Sequence, residues 1–308
     1  MKVASEYLDS ILLLIITIPI FVPIKINVGI LFMLLWVLQF LCLLIAFKMR
    51  IGITQTIKEL LKGHIERIFD NNILSIPIIA NAVYVAAFFL TMFQESHGIP
   101  TGSPEVGNLY EFYFISTYAA VFEELTFRIL IIGLYEAAIN LGWGIAKNLL
   151  KSSRDKFNIL WKSILFPHKA REALGIGNDG LLGLNNKEWI IISFSSVMFG
   201  LAHILSGSGW QIGKLSQATL TGLAMGIIYL KFGFQAPLIL HWFFNNYLQV
   251  YSIIYDKLPA IGDLLNLLDP LNFIVGVSFW SVMISVKLYK LLHSKFKISS
   301  SKRNSVIT

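Results

Sequence analysis

Long apolar runs alternate with short polar connectors along the chain, and eight of the runs read as membrane-crossing helices. They predict helices over about 8–24, 28–48, 72–93 and 110–139, and then over about 188–206, 213–231, 236–255 and 271–293. A helix is the natural element because it satisfies every backbone N–H and C=O within one segment, where no water is at hand. Two connectors, 51–70 and 154–173, place apolar residues at helical spacing among basic ones. They predict amphipathic helices, either lying on the membrane surface or forming solvated connectors. The stretch 175–186 is rich in Gly and Asn and predicts a loop; no Gly-Lys-Ser/Thr follows, so it does not fit a phosphate-binding loop. Residues 299–308 are polar and predict a disordered tail.

Composition agrees with this pattern. Of 308 residues, 56% are hydrophobic and 14% charged, against about 25% charged in a soluble domain. The expected fold class is an all-α integral membrane protein, with about eight transmembrane helices forming one bundle around an internal polar cavity. One domain over 1–298, with its motif core at about 110–255, accounts for the length. The first run follows a start with one Lys and two acids, and reads as a retained helix rather than a cleaved signal. A single cysteine, Cys42, excludes an internal disulfide.

The net charge of +7 reflects topology, not nucleic-acid binding. Lys2, the basic residues of 48–67 and 147–187, Lys231 and the six from Lys287 to Arg303 fall on one side, 21 of the 25. Lys25, Lys214 and Lys257 fall on the other, and Arg128 lies within a run. The positive-inside rule then predicts that both termini are cytoplasmic. In the run at 213–231, Ala218, Gly222 and Gly226 recur at spacing four, which predicts tight internal helix packing.

Three polar motifs interrupt the apolar runs: Glu123-Glu124-x-x-x-Arg128, Phe199-x-x-x-His203 and His241-x-x-x-Asn245. A charge near the bilayer centre costs about 2.5–3.5 kcal/mol even on lenient scales, so such residues face a protein interior or a cavity. Glu124 and Arg128 share a helix face and predict a charge-assisted pair. Glu123 points about 100° away and is left for general-base work. His241 and Asn245 offer two donors on one face, which suits an oxyanion. Asn246 reads as helix–helix glue. Ser195 and Ser196 lack a Gly-x-Ser-x-Gly turn, and the C-terminal aspartates lie in or near loops. No His-Glu-x-x-His helix is present, yet one Glu and two His from different helices leave a zinc site open. Depth poses a difficulty. At 1.5 Å per residue, His203 lies roughly 20 Å from the start of its run and His241 less than about 10 Å from the start of its own. The two meet if the helices tilt or if the expected boundaries are displaced, and displaced boundaries are the expectation here.

The three motifs, in this order on consecutive apolar runs, resemble the CPBP family, which contains the Rce1-type CAAX prenyl endopeptidases and the bacteriocin-processing or Abi proteins. The motifs cover 123–245. The resemblance implies an intramembrane endopeptidase with an eight-helix core and a cavity open toward the cytoplasm. It implies that Glu123 activates water, that Glu124 and Arg128 hold its geometry, and that His203 assists the base or binds the scissile region. His241 and Asn245 would form the oxyanion hole. Members have been regarded as glutamate peptidases, which need no cofactor, and as metalloproteases, in which zinc would occupy the same site. The implied partners are membrane lipid and a peptide or prenylated-protein substrate. The implied location is the cell membrane of a prokaryote or the endoplasmic reticulum of a eukaryote. A non-catalytic immunity or partner protein and a transporter or proton relay are the competing functions. Against the relay, the two halves show no inverted repeat. The motifs leave the natural substrate, the oligomeric state and the choice of base between Glu123 and Glu124 open.

Overall fold

The computed structural model describes residues 28–47, 52–62, 64, 67, 70–104, 106–177, 180–251 and 259–304, with backbone only at 259–261, 286 and 290–304. Among these residues the architecture is all-α, the one β feature being an isolated bridge between Gly102 and Trp210. The elements are α1 (Val28–Ala46), α2 (Ile53–Leu61), α3 (Asn72–Ser96), α4 (Leu109–Ala146), α5 (Ser153–Leu165) and α6 (Pro167–Ala173). They continue with α7 (Asn186–Leu205), α8 (Gly213–Phe232), α9 (Gln235–Trp242, prolonged as a π-helix over Phe243–Val250) and α10 (Pro259–Asn304). Five of the helices, α1, α3, α4, α7 and α10, are long and apolar enough to cross a membrane. The run at 8–24 lies outside the described residues. The polar stretch expected as a tail is helical backbone as far as Asn304.

Local chemistry sets the helix starts. The Asn71 side chain accepts from Leu74 N–H at α3, and Asn108 accepts from Tyr110 and Glu111 N–H at α4. Ser152 with Asp155 and Asn185 with Glu188 form capping boxes at α5 and α7. Each satisfies backbone donors that the first turn leaves free. The connector at 154–173 is helical as the α5–α6 pair, and the one at 51–70 is helical over Ile53–Leu61, as α2.

The long apolar helices turn their large side chains outward, with Met33, Phe40, Phe93 and Ile274 all exposed, as lipid rather than water would require. The centre belongs to α8 and to the first turns of α9, where Ile228, Tyr229, Leu230, Leu238 and Leu240 are fully buried. The small-residue series does the packing expected of it. A Cβ on Gly222 would meet Phe199 and Ser196 at 3.2 Å, and one on Gly226 would meet Ile192 at 2.8 Å, so α7 and α8 approach closely. Gly233, at φ +99°, turns the chain from α8 into α9 in a conformation that only glycine adopts freely.

The α5–α6 layer is fastened by buried polar contacts. Arg171 pairs with Glu188 and donates to Leu230 O at 3.1 Å. Asn140 donates to Ser163 Oγ at 3.1 Å, and the Tyr229 hydroxyl donates to Ile164 O. Phe234 N–H donates to Leu165 O at 2.9 Å, which seats the start of α9 on the end of α5. Arg171→Ala, which strands Glu188 as a buried charge, is expected to destabilise the protein by about 3–5 kcal/mol. Unfolding in detergent measures this, and replacing both partners by Met should recover most of the loss, because no unpaired charge then remains.

Candidate active site

The three motifs meet on α4, α7 and α9. Each motif that holds two or more charged or polar groups lies where an α-helix passes into a π-helix. Glu123 and Glu124 end the first α segment of α4, before the π segment Leu125–Gly133. His241 and Trp242 end the α segment of α9, before Phe243–Val250. A π-turn widens the helix and leaves its carbonyls less regularly paired, and such turns are common at functional sites. Here Ser195 on α7 supplies a donor to the π segment of α4, and Trp242 on α9 supplies one to the α segment before it. Ser195 Oγ donates to Phe127 O at 2.7 Å, and Trp242 Nε1 donates to Thr117 O at 3.0 Å.

The cluster is built around His241. Its Nδ1 lies 2.8 Å from Glu124 Oε1, while Glu124 Oε2 lies 3.1 Å from Arg128 Nε. Glu124 and Arg128 are both 0% exposed. On the other side of the ring, His241 Nε2 lies 3.5 Å from Glu123 Oε2, and the Glu123 side chain is 27% exposed. The pair expected from the spacing of Glu124 and Arg128 is therefore present, and the second glutamate stands apart from it. Because a carboxylate only accepts, Nδ1 carries a proton toward Glu124. The 3.5 Å approach of Nε2 to Glu123 is not a hydrogen bond, so that nitrogen faces Glu123 without being tied to it.

Phe199 sits at the centre of these groups, almost completely buried. Its ring lies 4.7 Å from the His203 ring and 5.6 Å from the His241 ring, and the Arg128 guanidinium stands 4.9 Å over its face. This resolves the depth problem. The helix starts at Asn186 and Gln235 match the sequence expectation, so displaced boundaries are not the answer. Instead α9 starts on top of the α5–α6 layer, and the Phe199 ring spans the space between the imidazoles.

His203 Nδ1 lies 2.9 Å from Phe199 O, and a carbonyl can only accept. The Nδ1 atom is therefore the donor, and in the neutral ring Nε2 keeps its lone pair. Asn245 Nδ2 donates to Ser116 O at 3.1 Å, which uses one of its two amide protons and leaves the other. Asn246 is buried and accepts from Thr117 Oγ1 at 3.3 Å, the helix-joining contact expected of it. Ser195 and Ser196 are both buried, and each donates to a backbone carbonyl.

A cavity of about 630 Å³ is lined by His203, His241 and Asn245, with walls from α3, α8, α9 and the 102–106 loop. It lies toward the end of the bundle that holds the 97–108 and 206–212 loops, joined by the Gly102–Trp210 bridge. The basic residues of α2, of 147–187 and Lys231 are at the opposite end. Two expectations thus point to different ends. The charge distribution puts the cytoplasm at the basic end, whereas the resemblance implies a cavity open to the cytoplasm.

Glu123, His203 and His241 are the side chains that would hold a zinc ion here. The Nδ1 contact to Glu124 would orient His241 to present Nε2 to a metal, and among the described residues no three His, Cys, Asp or Glu side chains converge on one point. A catalytic zinc site needs three protein ligands.

Residues 105–247 match the family described as "Type II CAAX prenyl endopeptidase Rce1-like". The resemblance read from the three motifs therefore holds over a segment that includes all of them. No curated protein and no solved structure matches the chain.

The hydrogen-bond pattern makes a spectroscopic prediction. With ¹⁵N-labelled histidine, His203 is expected as the neutral tautomer protonated at Nδ1, and the ring-nitrogen shifts, assigned with His203→Gln, measure this.

Proposed function

We propose that the chain is an intramembrane endopeptidase in which Glu123 activates a water molecule, with a prenylated (CAAX) protein tail or a related membrane peptide as substrate. The observation that carries this reading is the division of labour around His241. One glutamate is fully buried against Arg128, and the other is partly exposed beside the ring. The family matched by residues 105–247 supports a protease at the coarser level.

In this mechanism the water sits between the Glu123 carboxylate and His203 Nε2. Glu123 takes a proton as the water oxygen attacks the scissile carbonyl carbon. The oxyanion formed on the carbonyl oxygen accepts from His241 Nε2–H and from the second amide proton of Asn245. Glu124 and Arg128 act as positioning residues, holding the protonated imidazole by its Nδ1 side. As the tetrahedral intermediate collapses, the C–N bond breaks and Glu123 returns its proton to the departing amine. Carboxylic acid and amine are the products, and no cofactor takes part. Ser195 and Ser196 are not nucleophiles in this scheme, because their hydroxyls are engaged with backbone carbonyls.

The test is hydrolysis of a quenched farnesylated CAAX peptide by purified protein in detergent. Glu123→Gln is expected to lower kcat by about 10²–10⁴-fold, the usual contribution of a general base. Asn245→Ala should lower it by about 10²–10³-fold, as loss of one oxyanion donor does. Turnover should survive a strong zinc chelator. Loss of wild-type turnover in chelator would move Glu123 and the histidines into a metal site.

We also propose that both termini lie on the cytoplasmic side and that the cavity occupies the opposite half of the membrane, a placement that favours a membrane peptide over a cytoplasmic prenylated tail as substrate. A cysteine at Ser103, in a chain with Cys42→Ala, should react with a membrane-impermeant maleimide in intact cells. One at Lys151 should react only after permeabilisation. The reverse labelling would put the cavity toward the cytoplasm.

A further inference from the structure

Lys214 is a cation in the same cavity that the chemistry above leaves unused. It stands in the first turn of α8, half-buried, with its ammonium 3.8 Å over the Trp210 ring. Among the described residues no carboxylate comes within ion-pair distance of it, while it interacts electrostatically with Glu123 and with His203. The position is rigidly built. Gln211 N–H donates to Thr101 O and Gly213 N–H donates to Pro100 O, both at 2.9 Å, which stitches the two loops together beneath Trp210. Gln94 Nε2 donates to Gly213 O at 3.2 Å and to Ser216 Oγ at 2.7 Å, which ties the start of α8 to α3. A side chain held this way over an aromatic face in a partly desolvated cavity is a fixed positive charge facing the substrate space.

The remaining walls are mostly apolar, with Tyr84, Phe88, Met225, Phe244 and Leu248 prominent. They suit a peptide with apolar side chains. Such a segment brings one obligatory anion, its own C-terminal carboxylate. Resting on the endopeptidase reading, in which the substrate is the C-terminal tail of a protein, we propose that Lys214 is the residue that binds the free carboxylate of that tail. Trp210 is the positioning residue that holds the ammonium, and Lys214 is the specificity residue.

The experiment measures binding separately from turnover. Full-length Glu123→Gln protein in detergent is titrated with a fluorescein-labelled apolar heptapeptide as the free acid, as the amide, and as the amide with one internal Asp. The acid is expected to bind roughly tenfold or more tighter than the amide, the size of one charge-assisted contact. Lys214→Met should abolish that preference and Lys214→Arg should retain it. In protein with Glu123 intact, Lys214→Met should raise KM with little change in kcat. Equal binding of acid and amide, or no binding of the acid, overturns the proposal. Tightening by the internal Asp alone overturns it in favour of an acidic side chain. Selective binding of the acid without any cleavage by the wild type would support the role of Lys214 and remove the peptidase reading, so the two failures are distinct.

Discussion

A charged group buried in a helical bundle must bring its partner with it, and the Arg128–Glu124–His241 chain is the case on which this site depends. Arg128 and Glu124 are wholly inaccessible, and His241 nearly so. Removing one member of such a group strands a charge at a cost of about 3–5 kcal/mol, whereas the complete group is tolerated. That penalty fixes the relative positions of α4 and α9 more strictly than apolar packing could, because apolar contacts accept small displacements. It also holds His241 by one nitrogen and leaves the other directed at Glu123.

The surrounding bundle supports this chain of contacts. Two helices change to π geometry beside the cluster, and Ser195 and Trp242 donate to carbonyls of α4. Phe199 touches Arg128 and both imidazoles, so a residue with no chemistry of its own spaces three that have it. The close approach of α7 and α8 at Gly222 and Gly226 leaves room for that ring and no more. At the basic end, the Arg171–Glu188 pair and the Tyr229 contact hold the α5–α6 layer on which α9 starts.

The apolar runs were legible in the sequence, because a helix in lipid is a one-dimensional requirement of length and hydropathy. The Glu124–Arg128 pair was legible as well, since its spacing is a property of one helix. The zinc alternative depends on how Glu123, His203 and His241 Nε2 stand to one another, and no spacing within a single helix determines that. The depth of His241 was misjudged for a similar reason. Counting residues from a helix start assumes that every start lies at the membrane edge, and α9 begins on another pair of helices.

The sequence by itself therefore determined an all-α membrane bundle, the positions of most of its helices and the six polar residues that an apolar chain does not carry without a use. Lipid and backbone hydrogen bonding impose those features segment by segment. Only the tertiary structure decided that Glu124 and Glu123 sit on opposite sides of one imidazole and that Phe199 joins the two histidines. It alone placed Lys214, which the sequence shows as a loop-side charge, in the same cavity. These are contacts between residues far apart in the chain, and they exist because several helices must pack at once around charges that have no water to turn to.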